Sequence, residues 1–255
     1  MIIDSHLHLK GDKETAVSFD NINEMIDDQQ SAGVDKSCLM HGRSTLPCFY
    51  FDEQAQQETA ENLRTIVNAY PGRFYALLYL NPLLPTEFLA KVLQEYIVDG
   101  PLTGVKLTCQ MNARDRRLDE ICSFIEVNDI PVLWHSWYKT VCRYPFESDP
   151  SDIAYFAGKF PGIRILMAHL TAARARGIQD IKNFPNVSID SSGSQPEDGY
   201  MEYALKHIGA DRILFGSDYP CRDISTQMGR VESVGLTKAE KEKILCSNAL
   251  RFFEG

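Results

Sequence analysis

The chain has 255 residues, 44% of them hydrophobic and 24% charged, with glycine and proline scattered rather than clustered. That is ordinary for a soluble globular protein and long enough for one domain with a sizeable core. A formal net charge of −9 argues against a nucleic-acid surface, which needs a basic stripe, and no apolar run is long enough to span a membrane.

The first strand candidate, Ile2–Leu9, starts on the second residue and leaves no room for a secretory leader. The seven cysteines are an odd number without Cys-x-x-Cys spacing. A reducing, cytoplasmic setting is therefore expected, with no disulfide framework and no thiolate zinc site. An irregular stretch, Lys10–Asn21, precedes the second strand, Lys36–His41, and another, Gly42–Asp52, follows it. The helix Gln56–Tyr70 ends at Pro71-Gly72 and leads to the strand Phe74–Asn81. The helix Glu87–Val98 ends at Asp99-Gly100 and leads to Gly104–Cys109. Then come the helix Leu118–Asn128, the strand Pro131–Ser136 and a third irregular stretch, Ser136–Pro150. Pro161-Gly162 opens the strand Ile163–Leu170, and Val187–Ser191 is the seventh strand. The helix Tyr200–Ile208, the turn Gly209-Ala210-Asp211, the eighth strand Arg212–Ser217 and a terminal helix, Thr237–Phe253, close the chain. The terminal helix opens on the cap-like Thr237-Lys238-Ala239-Glu240.

Strict alternation of short strands with helices calls for a parallel sheet covered by helices, and eight repeats at this length favour closure into a (β/α)₈ TIM barrel. One domain, residues 1–255, is expected. An open doubly wound sheet is the alternative, but no Gly-x-Gly-x-x-Gly follows the first strand. The three irregular stretches all follow strands, which puts them on the C-terminal face, where barrels build their active sites.

The six histidines matter by position. His6 and His8 lie two apart on one strand and so share a face. His135 ends the fifth strand, His169 the sixth, and Asp218 follows the eighth. A lone strand histidine is more often a packed residue than a ligand, but several strand ends converging on one mouth are hard to obtain by accident. Imidazoles with one carboxylate suit a divalent cation, zinc first and manganese or iron as alternatives. Such an ion would bring the pKa of bound water to about 7. Asp218 would accept the water's proton, and His169 would protonate or polarise the substrate.

The motifs Asp4-Ser5-His6-Leu7-His8, Val132-Leu133-Trp134-His135, Ala168-His169-Leu170 and Phe215-Gly216-Ser217-Asp218-Tyr219-Pro220 resemble those of the amidohydrolase superfamily. The similarity is to its amidohydrolase-related branch of metal-dependent hydrolases and decarboxylases, and it runs from residue 4 to about 220. The resemblance implies metal ligands at His6, His8, His135 and Asp218, with His169 as catalytic acid/base or ligand to a second metal. It also implies a homodimer. Lys106 stands where binuclear members carry a carboxylated lysine. Its surroundings, Gly104-Val105-Lys106-Leu107, fit that pattern poorly, so one ion is expected over two and Lys106 is read as a substrate-anion contact.

Arg43, after the second strand, is the first choice to grip a substrate carboxylate with its two-pronged guanidinium; a solvated loop charge is the plain alternative. Arg174 and Arg222 rank below it, and His41 is a further substrate contact. Trp134 should pack outward against helices and Trp137 should line the pocket. The expected activity is hydrolysis of an ester, lactone or amide-like bond in a small anionic substrate, with non-oxidative decarboxylation as the alternative. A metal-dependent nuclease relative would need a glutamate in a Gly-Glu-Ile-Gly context at the fourth strand, and this chain lacks it. A catalytically silent, ligand-binding barrel is the remaining reading.

Overall fold

Eight parallel strands pair in sequence order from first to last, each followed by helix, in a computed structural model that describes residues 1–9, 17–41, 52–139, 144–194 and 198–255. Arg43 lies outside those residues. The strands are β1 (Ile3–His8), β2 (Lys36–His41), β3 (Phe74–Tyr79), β4 (Gly104–Leu107), β5 (Val132–Trp134), β6 (Ile165–Met167), β7 (Val187–Asp190) and β8 (Ile213–Leu214). Past the end of β8 the chain returns to β1. Ser5 N donates to Phe215 O at 2.8 Å, Asp218 N to His6 O at 2.7 Å and His8 N to Tyr219 O at 2.7 Å. These bonds draw the first and last strands together into a TIM barrel, and among the described residues no helix is long and apolar enough to cross a membrane.

The helices that follow the strands include α1 (Phe19–Ser31), α2 (Glu53–Ala69), α3 (Thr86–Leu93), α4 (Asp119–Val127), α5 (Pro150–Lys159), α6 (Leu170–Ile181), α7 (Tyr200–Ile208) and α8 (Ile224–Glu232). Of these, α1, α5, α6 and α8 lie in stretches where sequence periodicity nominates no helix. The reason is local: α1 buries only Ile22, Met25 and Gln29, a thin apolar stripe that docking completes. Its start is written in the cap, since the Ser18 side chain accepts from Asn21 N. At α5, Asp149 and Asp152 form a reciprocal capping box with Pro150 in the first turn. The terminal helix begins where Thr237 and Glu240 cap each other. It then runs through α9 (Lys238–Glu242) and a π-turn into α10 (Asn248–Glu254).

One large apolar cluster fills the space between sheet and helices. A smaller one fills the barrel interior and its N-terminal end, where Ile3, Tyr75, Leu133, Leu166 and Leu214 meet Phe252 and Phe253 of α10. Trp134 points outward onto Phe156 of α5 with ring centroids 4.7 Å apart, as expected.

Candidate metal centre and active site

Strand β1 carries an irregularity that aims its histidines. Asp4 pairs with Ser37 and Leu7 with Leu39, so three steps along β1 oppose two along β2. The extra residue is a bulge. It lets Ile3, His6 and His8 all face inward, which simple alternation forbids. The buried Asp4 carboxylate holds the distortion, its Oδ1 accepting from His6 N at 3.1 Å and Ser217 N at 2.9 Å. Its Oδ2 has no partner among the described residues. Burial pushes Asp4 up to about 7.

His6, His8 and Asp218 meet at the C-terminal rim. His6 Nε2 is 3.2 Å from His8 Nε2 and 3.5 Å from Asp218 Oδ1, which in turn is 3.2 Å from His8 Nε2. These lengths approach the ~3.3 Å edge of a tetrahedron whose metal–ligand bonds are ~2.0–2.1 Å. The proton inventory agrees. His6 Nδ1 donates to Asp190 Oδ2 at 2.7 Å, and that leaves Nε2 as a lone pair. His8 Nδ1 lies 3.0 Å from the Tyr79 hydroxyl. With His8 Nδ1 donating to that hydroxyl, two imidazole lone pairs and a carboxylate face one point, an arrangement that a divalent cation satisfies. Burial, with the Lys106 ammonium, holds His6 below its usual range. Asp218 stays ionised against the cost of burial because His8 and His6 contact it.

Two of the site residues sit in left-handed backbone, His169 at φ 73° and Asp218 at φ 59°. Such conformations cost about 1–3 kcal/mol each in a non-glycine residue and persist only where neighbours hold them. Asp190 is one such neighbour. Besides His6, its carboxylate accepts from His169 N at 3.0 Å, Ser192 N at 3.0 Å and Ser192 Oγ at 2.5 Å. Against full burial, His6 first, then His169 and the Ser192 hydroxyl, keep it well below the carboxylate range. Close packing also matters. A Cβ on Gly216 would come within 2.9 Å of Asp190 Cβ and 3.0 Å of His6 Cβ.

His169 stands beside the trio, its ring centroid 5.1 Å from that of His6. Its Nδ1 is 3.0 Å from Ser192 Oγ and its Nε2 is 3.3 Å from His135 Nδ1. Burial drives His169 far below its usual range, so it is neutral at pH 7. Trp137 closes one wall, 5.4 Å from His169 between ring centroids. Lys106 points inward from β4 and is 2% exposed. Desolvation lowers its ammonium to about 8, with Asp190 and Asp218 pulling the other way. No hydrogen bond or ion pair engages it among the described residues.

Two expected residues are placed differently. His135 is not in the His6–His8–Asp218 group; its Nε2 lies 2.7 Å from Glu147 Oε1, and its donor atoms group with Cys109 and Glu147. His41 alternates with Leu39 on the outer, helix-facing side of β2, with Nε2 3.2 Å from Asn62 of α2, and so does not line the cavity. Strand phase explains it: Cys38 and Met40 take the inward positions. Asp190, Ser192 and Glu147 were not nominated from sequence. Asp190 had a readable signal, a carboxylate at the end of a barrel strand. Glu147 had none, because it reaches the site from a loop before α5.

A family model described as amidohydrolase matches residues 3–255. Among solved structures, 5-carboxyvanillate decarboxylase of Novosphingobium aromaticivorans, bound to manganese, superposes with a TM-score of 0.78 at 14% identity, covering 100% of this chain and 96% of that one. 2,6-Dihydroxybenzoate decarboxylase of Rhizobium gives 0.76 at 17% identity, over 99% and 98%. A Pseudomonas putida protein provisionally named 2-pyrone-4,6-dicarboxylic acid hydrolase gives 0.71 at 15% identity, over 99% and 97%. At such identities the likeness establishes the barrel alone. Among curated proteins none matches.

Proposed function

The chain belongs to the amidohydrolase family, and from that premise we propose that it is a metal-dependent enzyme hydrolysing an ester, lactone or amide-like bond in a small carboxylate-bearing substrate. The observation that carries the reading is the convergence of His6 Nε2, His8 Nε2 and Asp218 Oδ1 at 3.2–3.5 Å from one another. These residues would hold one divalent cation, zinc or manganese, with His135 as the fourth donor that the sequence nominates. When bound, that ion supplies Lewis acidity at neutral pH.

The chain's own groups do the rest. Asp218, kept ionised, is the acceptor for the proton of an attacking water. Asp218 then passes that proton to the leaving group, while His169, kept neutral and set in place by Asp190 and Ser192, polarises the substrate. Lys106, which has no hydrogen-bond or ion-pair partner among the described residues, presents an ammonium to a substrate carboxylate from inside the barrel, and Arg43 would grip a carboxylate from the loop after β2. Trp137 keeps bulk water from one side.

Non-oxidative decarboxylation is the second reading, and Lys106 favours it, since a buried ammonium can hold a carboxylate until carbon dioxide leaves. Two isotopes separate the reactions. In ¹⁸O-water a hydrolase places one label in the acid product. In deuterium oxide a decarboxylase places one deuterium on the carbon that lost carbon dioxide, with no ¹⁸O uptake. Turnover unaffected by Asp218→Asn would overturn both.

A further inference from the structure

We propose that a cavity among α6, α7 and α8 is a second ligand site, made for a small monocarboxylate with an apolar body. The proposal does not depend on the reaction at the metal centre. The cavity measures about 250 Å³ and is lined by the start of α6, the first turn of α7 and residues around the end of α8. Neither His6, His8 and Asp218 nor His135 and His169 line it. Ser191, which follows Asp190, forms part of the wall between the two.

The first argument is one edge of a guanidinium. Arg230 lines the cavity, and its Nη1 is occupied, donating to Gly193 O and to Gln227 Oε1, each at 2.9 Å. Its Nε is buried and has no acceptor among the described residues, and no hydrogen bond there engages Nη2. Nε and Nη2 make the side of the fork on which a carboxylate sits with two parallel bonds. A buried donor without an acceptor is costly, and a ligand carboxylate would satisfy it. No ion pair neutralises Arg230 among the described residues. Burial, then the like charge of Arg222, disfavours its cationic form, and an anion in the cavity would relieve both.

The second argument is the rest of the lining. Leu170 and Met201 are buried and Val234 is partly so, which gives the body of a ligand apolar walls. At about 30 Å³ per water the space equals about eight waters, room for a ligand of about ten non-hydrogen atoms. The first turn of α7 adds amide donors that its N-cap, Gly199, has no side chain to satisfy. Asp198 and Glu202 also line the cavity, are exposed and form no ion pair with Arg230. Two carboxylates there repel a doubly charged phosphate more than a single carboxylate. Arg230 also ties this cavity to the catalytic rim, since Gly193 follows Ser192, whose N–H and hydroxyl hold Asp190.

The test is calorimetric titration of the protein with benzoate, a carboxylate that fits the space, and with inorganic phosphate. Benzoate should bind with one equivalent that Arg230→Gln weakens about 10–100-fold. Ser233→Tyr, at an exposed position of the lining, should block the same equivalent by filling the cavity. Lys106→Met, directed at the metal centre, should leave it unchanged, so failure of the reading there shows separately. Phosphate should displace benzoate from it poorly. If Arg230→Gln does not fold, Ser233→Tyr carries the test alone. Absence of a benzoate equivalent, or one that survives either folded variant, overturns the proposal. An equivalent lost in Lys106→Met belongs to the metal centre and overturns it as well. So does binding that emerges only in Glu202→Gln, because Glu202 would then already hold Arg230, and so does phosphate binding more tightly than benzoate.

Discussion

The two ends of the barrel interior are built from opposite materials. At the N-terminal end Ile3, Tyr75 and Leu214 meet Phe252 and Phe253, with Phe253 stacked on Tyr75 at 4.6 Å between centroids. At the C-terminal rim the inward positions hold His6, His8, Lys106, Asp190 and Asp218, nearly all out of contact with water. The apolar end stabilises the fold by removing surface from water, without directional demands. The rim stores left-handed backbone at His169 and Asp218 and buries charges that need partners. Stability and chemistry are thereby separated along one axis of one barrel, as is general for this architecture.

That separation can be broken at either end. The largest effect is expected at Asp218→Asn, which keeps the shape and removes the ionised acceptor. Turnover should fall by about a thousandfold or more, with the melting temperature not lowered. Phe253→Ala should do the reverse, costing roughly 3 kcal/mol in denaturant unfolding while the folded fraction turns over substrate at the parent rate. A large loss of turnover in the folded Phe253→Ala protein would mean the ends are coupled. Asp190→Asn sharpens the comparison from within the rim. Asp190 orients His6 and His169, so metal affinity should drop about 10–100-fold. An unchanged affinity would show that the bulge at Asp4 alone aims His6.

The apolar end and the strand order were legible in sequence because hydrophobic period and turn residues act locally. So were His6, His8, His169 and Asp218, because each lies near or just past the C-terminal end of a strand and a parallel barrel gathers such ends on one face. Helices α1 and α8 were not, since their polar compositions become helical only when a thin stripe docks. The placement of His135 was not, because strand position fixes where a ring starts but not which nitrogen finds which partner. Glu147 reaches it from a loop 12 residues further on, through contacts no periodicity encodes. His41 shows the same limit: sequence places it near the mouth, but the phase of β2 turns it toward Asn62.

The smallest predicted effect concerns Lys106, where the rim's charge balance is most exposed to pH. Its ammonium faces Asp190 and Asp218, with Cys38 and Cys109 on neighbouring segments, and it lowers the basicity of His6 and His135 in turn. Burial places its titration at about 8 rather than the usual 10.5. Below that pH the group is charged and can pair with a substrate carboxylate; above it the group is neutral and the attraction is gone. The affinity for an anionic probe such as 2,6-dihydroxybenzoate should therefore weaken as pH rises through about 8. The stability sign is opposite: the unfolded chain binds the extra proton between the two values, so folding gains from this residue as pH climbs from about 8 to 10.5. Lys106→Met should weaken probe binding several-fold below pH 8, flatten the pH dependence, and raise the melting temperature at neutral pH by removing a buried charge. Calorimetry across pH 6–9 checks both. A variant with unchanged affinity and an unchanged pH profile would leave the ammonium as a structural charge, and the anion would have to be held elsewhere on the rim.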